Sequence, residues 1–443
     1  MLHCGARFLH RRVLTLWSPQ VLTQKSSSSK TVPETASKKP QSSSSSLNLD
    51  DGKVFRLKTK WELSRGLLVF FLCSSPWLVQ KAPTLLSFTR RILGRRLWTS
   101  ALRLTLYGQF VAGETHKEIK ETLQRLQHLG VRPLLAVPIE EDVGEEKEGE
   151  MGDIREIRFG EQATEEPKPR SERVPELPFF CLLTREGWYD KNAQSMITCL
   201  DLSVGGAPNP MMQLKVTALM AAELCKTITL CLQIKEGISD LSIERLMAVM
   251  SGHYAVEKGV RVLVDAEYTY INPALTLVTI AMMATWNTQK PWISNTYQAY
   301  LKDTLERLKQ DVALAERLGV CFGVKLVRGA YLNKERKLAK EKGYPDPVQP
   351  SWEATNERMS QMGINKNAGP ISFGQLLGMC DQVSLALGQA GYAIYKSIPY
   401  GSVEEVIPYL IRRAHENQSV LLGIRKERDL LRLELWRRIL RRP

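Results

Sequence analysis

The stretch VRVLVDAEYT (residues 260–269) decides the fold, because a short apolar run ends in two carboxylates, Asp265 and Glu267, and a helical pattern follows it. Short apolar runs that alternate with longer helical patterns indicate parallel strands covered by helices. Six further runs of this kind lie at residues 132–137, 212–219, 292–298, 322–328, 371–377 and 392–398.

The fingerprints that would indicate a doubly wound sheet are absent from the sequence. No run is followed by G-x-G-x-x-G or by G-x-x-x-x-G-K-[ST]. The alternation therefore predicts an α/β fold of the (β/α)8 TIM-like barrel type. In such a barrel the functional side chains lie at the carboxyl ends of the strands.

Composition and charge exclude several classes of protein. With 443 residues, 43% of them hydrophobic and 24% charged, the chain is neither wholly disordered nor a polytopic membrane protein. The net charge is +14, but the excess of basic residues lies in residues 1–104 and 411–443. We therefore expect no nucleic-acid partner, and contact with an anionic membrane instead. The 8 cysteines form no C-x-x-C pair and show no zinc spacing, so we expect no metal site.

The chain divides into five predicted segments. Residues 1–33 lack acidic groups and are rich in arginine and serine, as in a mitochondrial transit peptide. The most apolar run, residues 66–79, is shorter than the roughly 20 residues of a spanning helix, so it is either a membrane-surface segment or a core helix. A helix is predicted over residues 111–130. The segments are a transit peptide (1–45), a helical membrane-proximal arm (46–130), an acidic disordered insertion (139–176), the barrel (177–430) and a basic tail (431–443).

Several charged residues lie where a barrel would place its site. Lys215 lies inside an apolar run, so it either points into a polar cavity or reaches solvent, and a Schiff-base aldolase would use such a lysine. Asp265 and Glu267, two residues apart, point to the same side of their strand, unless they only belong to the start of the next helix. Lys325 and Arg328 close another run and suit a phosphate or an anionic ring.

The helix after Gly401 carries a second candidate group. Ser402 and Glu405 form a capping box at its start. An aromatic ring beside two guanidinium groups suits a carboxylate ligand, although a solvated polar face is the alternative. The residues concerned are Tyr409, Arg412, Arg413 and Glu416.

Five motifs in the same order make the chain similar to the proline dehydrogenase family, and more narrowly to its hydroxyproline dehydrogenase branch. They are VLVDAEYT (262–269), NTYQAYLKDT (295–304), GVKLVRGAY (323–331), FGQLLGMCD (373–381) and YLIRRAHEN (409–417). The resemblance runs from about residue 53 to the C-terminus. It implies a barrel that binds FAD, oxidises hydroxyproline or proline and passes electrons to a membrane quinone. It also implies peripheral association with the matrix side of the mitochondrial inner membrane.

The resemblance also implies roles for individual residues. Arg412 and Arg413 match the pair that clamps the substrate carboxylate. Ser397 lies where proline-specific relatives carry a tyrosine, and its smaller hydroxyl side chain leaves room for a 4-hydroxyl group. We therefore expect trans-4-hydroxyproline as substrate, with proline as the alternative. Other substrate-pocket positions are Lys215, Asp265, Leu376 and Tyr409, Glu416 orders the site, and the flavin positions are Gln298, Lys325, Val327, Arg328 and Gly329.

This chain departs from the family in two places. The linker from Asp346 to Pro370 is too short for a strand and its covering helix, and a strand with a His-containing flavin motif is not found there. A second deletion, the size of a helix, is expected between Val249 and Val260. The sequence therefore predicts an incomplete barrel. It leaves open a flavin-free aldolase that uses Lys215, and a catalytically impaired, splice-type binding protein.

Overall fold

The computed structural model describes residues 49, 51–138, 186–204, 207–234, 252–362, 371–416 and 424–440. The predicted transit peptide and the predicted acidic insertion lie outside these residues. Residues 235–251 also lie outside them, so of the region of the second expected deletion, between Val249 and Val260, the structure describes the part from Gly252 onward.

Seven parallel strands form one curled sheet in the order β5-β4-β3-β2-β1-β7-β6. Each predicted run overlaps one strand, so the existence of all seven predicted strands is confirmed, although their bounds differ by up to five residues. The first strand pairs with the last, from Arg132 opposite Tyr395 to Ala136 opposite Pro399, as in a closed barrel. The strands are β1 (Arg132–Ala136), β2 (Met211–Leu214), β3 (Arg261–Val264), β4 (Ile293–Gln298), β5 (Val324–Val327), β6 (Phe373–Leu376) and β7 (Ile394–Pro399).

The curled sheet is open between β5 and β6, which are its two edges. Among the described residues, the chain between these strands contains helices and no strand. The helices are α11 (Leu332–Lys342) and α12 (Trp352–Gln361), and Met359 and Met362 share one apolar cluster with Val324 and Leu326 of β5. The linker thus supplies a covering helix without a strand, and the prediction of an incomplete (β/α)8 barrel is confirmed.

Helices cover the sheet between successive strands and after β7, and the apolar faces of most of them form the main core with the strands. The helix after β4 begins only at Thr304, after the turn that follows the strand. These helices are α6 (Glu186–Ser203), α7 (Ala222–Ile234), α8 (Gly252–Glu257), α9 (Asn272–Trp286), α10 (Thr304–Leu318), α13 (Asp381–Gln389), α14 (Val403–Glu416) and α15 (Ile424–Leu440).

Among the described residues, a 3₁₀ turn at Gly52–Phe55 and five α-helices precede β1, and the helices form an arm against the barrel. The apolar run at 66–79 is divided, because α1 ends at Cys73 and the Ser75 side chain caps a new helix that starts with Pro76. The prediction of a helix from residue 111 is wrong at its start, because Thr115 caps that helix in a capping box with Glu118. No described helix has the length and apolar content to cross a membrane. The arm helices are α1 (Lys60–Cys73), α2 (Pro76–Gln80), α3 (Ala82–Leu104), α4 (Leu106–Phe110) and α5 (His116–His128).

A buried charge network joins the arm to the last elements of the barrel. Asp381, at the start of α13, accepts a hydrogen bond from Lys58 Nζ at 2.5 Å and forms an ion pair with Lys396 Nζ at 2.8 Å. The Asp381 backbone N–H donates to Glu427 Oε1 of α15 at 2.8 Å. Lys396 also donates to the carbonyl oxygens of Leu376 and Met379. Four elements far apart in the sequence are thus held together by charged groups that are almost completely buried.

Candidate active site

A cavity of about 60 Å³ lies between β6, β7, α14 and the arm. Its walls include four residues that the sequence assigned to the substrate pocket, Leu376, Ser397, Tyr409 and Arg413. Leu376 and Ser397 are paired neighbours on β6 and β7, so they present their side chains to the same face of the sheet. The remaining walls are mostly apolar, so the cavity would hold a small ring with few water molecules.

Helix α14 brings the aromatic ring and the arginines to this cavity. Its capping box is present, with Glu405 N donating to Ser402 Oγ at 3.3 Å and Ser402 N donating to Glu405 Oε2 at 3.2 Å. The apolar face of the helix packs against the arm in a small cluster of its own. That packing fixes the helix, so its other face is held toward the cavity.

The guanidinium group of Arg413 lies 5.4 Å from the ring centroid of Tyr409, one turn earlier on the same helix. This is within cation–π range, so the ring helps to orient the positive charge. Arg412 is half-buried beside Arg413 and is not a wall of the cavity. Glu416 ends the helix, and its side chain lies outside the described residues.

Lys215 lies after β2, so its predicted position inside the strand is wrong. The strand ends at Leu214, because Val216–Ala218 turn into a short 3₁₀ helix that Lys215 precedes. Its Nζ lies 3.8 Å from Glu267 Oε2, and Glu267 also accepts a 2.6 Å hydrogen bond from Thr217 Oγ1. Burial raises the pKa of Glu267, although Lys215 opposes that rise. Lys215 thus faces a carboxylate at the carboxyl end of the barrel.

Asp265 and Glu267 take different partners. Asp265 accepts Lys325 Nζ at 2.5 Å, whereas Glu267 faces Lys215. The alternative was that these two residues belong only to the start of the next helix. Only the backbone of Glu267 fits it, because its N–H donates to Asn272 Oδ1 at 2.7 Å. Both carboxylates therefore meet cations at the strand ends, as a site would require.

The residues assigned to the flavin lie at the ends of β4 and β5. Gln298 is buried, and its Nε2 donates to the Glu267 carbonyl oxygen at 2.8 Å and to the Tyr300 hydroxyl at 2.7 Å. Val327 is opposite Gln298 on the neighbouring strand. Gly329 follows closely, and a β-carbon there would lie 2.9 Å from Leu332 Cδ1, the end of a side chain that can shift to make room.

Arg328 is engaged by α12. Its guanidinium group donates to Asn356 Oδ1 and lies 4.6 Å from the ring centroid of Trp352. Together with Lys325 it places two cations at the carboxyl end of β5, whereas both N–H groups of the Gln298 amide are already used within the protein. Two cations at this end of the strand are chemically suited to an anionic flavin ring system and its phosphates. By this test the residues fit the cofactor.

The structure brings the predicted residues together as two groups rather than one. Leu376, Ser397, Tyr409 and Arg413 share the cavity, while the second group lies at the ends of β2 to β5 and does not line it. The second group consists of Lys215, Asp265, Gln298, Lys325, Val327, Arg328 and Gly329.

Sequence reasoning missed several residues at the cavity. Ser397 Oγ donates to Gln213 Oε1 on β2 at 2.5 Å, so Gln213 supports a wall residue from behind. The sequence feature that could have indicated Gln213 is its position as a single amide in an otherwise apolar run, two residues before Lys215. Phe70, Cys73 and Phe110 of the arm also line the cavity, but nothing in their local sequence indicates this.

Comparisons with known proteins agree with this geometry. A sequence profile described as "Proline dehydrogenase" matches residues 189–362 and 356–426. Hydroxyproline dehydrogenase of Xenopus laevis is 46% identical over 89% of this chain and 90% of the relative. Its human counterpart is 42% identical over 88% and 93%. Human proline dehydrogenase 1, mitochondrial, is 31% identical over 87% and 88%.

Among solved structures, proline utilization A from Bdellovibrio bacteriovorus, inactivated by N-propargylglycine, superimposes with a TM-score of 0.51 at 17% identity. The match covers 82% of this chain and 38% of that one. This likeness supports the barrel fold.

Proposed function

Because the chain belongs to the proline dehydrogenase family, we propose that it oxidises trans-4-hydroxy-L-proline to 3-hydroxy-1-pyrroline-5-carboxylate. The observation that carries this proposal is the cavity in which Ser397 faces Tyr409 and Arg413. A serine there provides space and a hydrogen-bonding group beside the ring. Relatives that cover most of this chain are named hydroxyproline dehydrogenase.

Arg413, with Arg412 beside it, would pair with the substrate carboxylate at the end of α14. Charge-assisted contacts to guanidinium groups fix both the position and the plane of a carboxylate. Anchoring that group orients the ring along the apolar walls of the cavity. The arginines thus supply orientation, which is a large part of what a protein adds to a cofactor reaction.

The reaction removes a hydride from ring carbon C5 and a proton from the ring nitrogen, so that a carbon–nitrogen double bond forms. The ring nitrogen must be uncharged at that moment, because its lone pair forms the new bond. FAD, when bound, would accept the hydride. Gln298, Lys325, Val327, Arg328 and Gly329 are the residues that would hold it.

The electron acceptor that we propose is a membrane quinone, reached from the matrix side of the mitochondrial inner membrane. The arm exposes large apolar side chains, among them Phe71 at 67% and Ile92 at 66%. Arg91 and Arg96 are exposed on the same helix as Ile92. Apolar groups next to cations favour an anionic bilayer surface. The human relative named proline dehydrogenase 1 is described as mitochondrial.

A second candidate is a catalytically impaired binding protein. The observation that favours it is the opening between β5 and β6, which adjoins the strand end where the flavin residues lie. A missing strand removes one wall of that site. Such a protein would keep the cavity and its arginines but would hold FAD weakly. Oxidation of proline itself remains the nearest alternative reaction.

The deciding experiment is the visible absorption spectrum of the purified protein with and without trans-4-hydroxyproline. Flavin absorbance that bleaches on addition of hydroxyproline, and less with proline, is the expected result. A colourless protein that gains no absorbance when reconstituted with FAD contradicts the proposal. Borohydride trapping of a carbonyl substrate on Lys215 in a colourless protein would instead indicate the aldolase.

A further inference from the structure

The geometry points to Gln213 as a positioning residue for substrate preference. We propose that Gln213 fixes the hydroxyl of Ser397 as a hydrogen-bond acceptor and thereby favours a ring with a 4-hydroxyl group. This inference rests on the proposed function and adds to it a residue that does not itself line the cavity.

The hydrogen bond between Gln213 and Ser397 spans the concave side of the curled sheet, across β1. Gln213 lies on β2 and Ser397 on β7, with β1 between them, since β1 pairs with both strands. Ser397 Oγ donates to Gln213 Oε1 at 2.5 Å, and Ser397 is 7% exposed. A buried hydroxyl that donates to a fixed acceptor has its rotation restricted.

The direction of this hydrogen bond determines what Ser397 can offer a ligand. A serine hydroxyl has a single hydrogen and two lone pairs. Because the hydrogen points to Gln213, only lone pairs remain for the cavity. A substrate hydroxyl can donate to them, whereas the unsubstituted carbon of proline leaves them unpaired. An unpaired buried acceptor weakens binding, so Gln213 raises the preference for a hydroxylated ring.

Gln213 acts through Ser397 rather than on the substrate, because Ser397 is a wall of the cavity and Gln213 is not. Without Gln213 the Ser397 hydroxyl could rotate and donate elsewhere, so it would no longer distinguish the two rings. A general structural role would weaken both substrates equally. The ratio of the two substrates therefore separates these roles.

The test measures kcat/KM and, by calorimetric titration of the flavin-loaded protein, Kd for trans-4-hydroxy-L-proline and L-proline. In Gln213→Met the preference for hydroxyproline over proline should fall by about three- to tenfold, both in the ratio of the two kcat/KM values and in the ratio of the two Kd values. Gln213→Glu keeps a carboxyl oxygen that can accept from Ser397 and should retain most of the preference. Gln310→Met, the same change at an exposed glutamine of α10, is the control and should leave the ratios unchanged.

A double-variant cycle completes the test. In a Ser397→Ala background, Gln213→Met should cause no further fall, because the hydroxyl that it positions is gone. An unchanged Kd ratio in Gln213→Met, or effects that add in the double variant, would overturn the inference. Absence of turnover in the wild type would contradict the proposed function, while the Kd ratios would still decide the role of Gln213.

Discussion

Lys58 Nζ lies 2.5 Å from Asp381 Oδ2, although 323 residues separate the two in the chain. Burial alone would raise the pKa of Asp381, but the charges of Lys396 and Lys58 outweigh it and hold the pKa below its usual range. The start of the arm is therefore tied electrostatically to the α13 and β7 side of the barrel. This is the side on which the cavity lies.

Removal of Lys58 should destabilise the protein. Lys58→Met leaves one side of the Asp381 carboxylate without its cation, while Lys396 stays in place. We expect a loss of about 1–3 kcal/mol in the free energy of unfolding, measured with urea. The control is Lys60→Met, an exposed lysine two residues later, which should change stability by less than about 0.5 kcal/mol. Equal losses in the two variants would show that the buried pair contributes nothing.

Glu427 should make stability depend on pH near neutrality. Burial and the charge of Asp381 raise its pKa to about 7. Since this lies above the ordinary value of 4.5, the folded state loses stability as pH rises from the ordinary pKa through about 7.

Glu427→Gln removes that loss but can still accept the Asp381 N–H. The variant should be more stable than wild type by on the order of 1–3 kcal/mol at about pH 8, and nearly equal at about pH 4. Thermal unfolding at both pH values tests this, with the exposed Glu121→Gln as control. A difference that does not change with pH would contradict the assignment.

Ser397→Tyr should shift preference from hydroxyproline toward proline. The larger ring fills the space beside Leu376 and clashes with a 4-hydroxyl group. We expect the ratio of kcat/KM values for the two substrates to change by about tenfold or more. A wild type that prefers proline, or a variant with the wild-type ratio, would show that this residue does not set specificity.

The arginine pair should dominate substrate binding. Arg413→Met and Arg412→Met each remove a charge-assisted contact to a carboxylate, worth roughly 1.5–3 kcal/mol, so kcat/KM should fall by about 10- to 100-fold. The matched control is Arg317→Met on the exposed end of α10, which should have wild-type kinetics. Normal kcat/KM in both pair variants would end the assignment of the carboxylate clamp.

The apolar side chains of the arm should govern membrane binding. In the double variant Phe71→Ser and Ile92→Ser, co-sedimentation with vesicles of phosphatidylcholine and phosphatidylglycerol should fall well below that of wild type. Added salt should weaken the remaining binding, because the arginines contribute charge. Val204→Ser, at an exposed apolar residue after α6, is the control. Equal sedimentation of all three proteins would place the contact elsewhere.

The strands could be predicted because each is a short apolar run bounded by polar residues, and local pattern alone carries that information. The position of Lys215 could not, because the end of β2 depends on the turn at Val216–Ala218 rather than on hydrophobicity. Pairing with Glu267 then stabilises the lysine where the chain leaves the strand.

The buried charge network escaped prediction for a different reason. Its members come from four distant segments, and each looks like an ordinary surface residue. Only Lys396 gave a local signal, since it interrupts the apolar run YAIYKSI (392–398). Similarly, the order of motifs indicated the cavity residues on β6, β7 and α14, but only the three-dimensional structure shows that the arm closes that cavity.

The opening between β5 and β6 also creates two sheet edges that differ in their tendency to self-associate. An edge strand presents unpaired backbone groups, and charged side chains are the usual protection against pairing with another chain. Arg328, which is exposed, supplies such a charge directly after β5, and α12 lies beside that strand. At β6, by contrast, Phe373 is 42% exposed and Ile371 just before it is 39% exposed. In concentrated solution, the addition of a strand from a second molecule is therefore expected at β6, and oligomers formed in this way would grow with protein concentration.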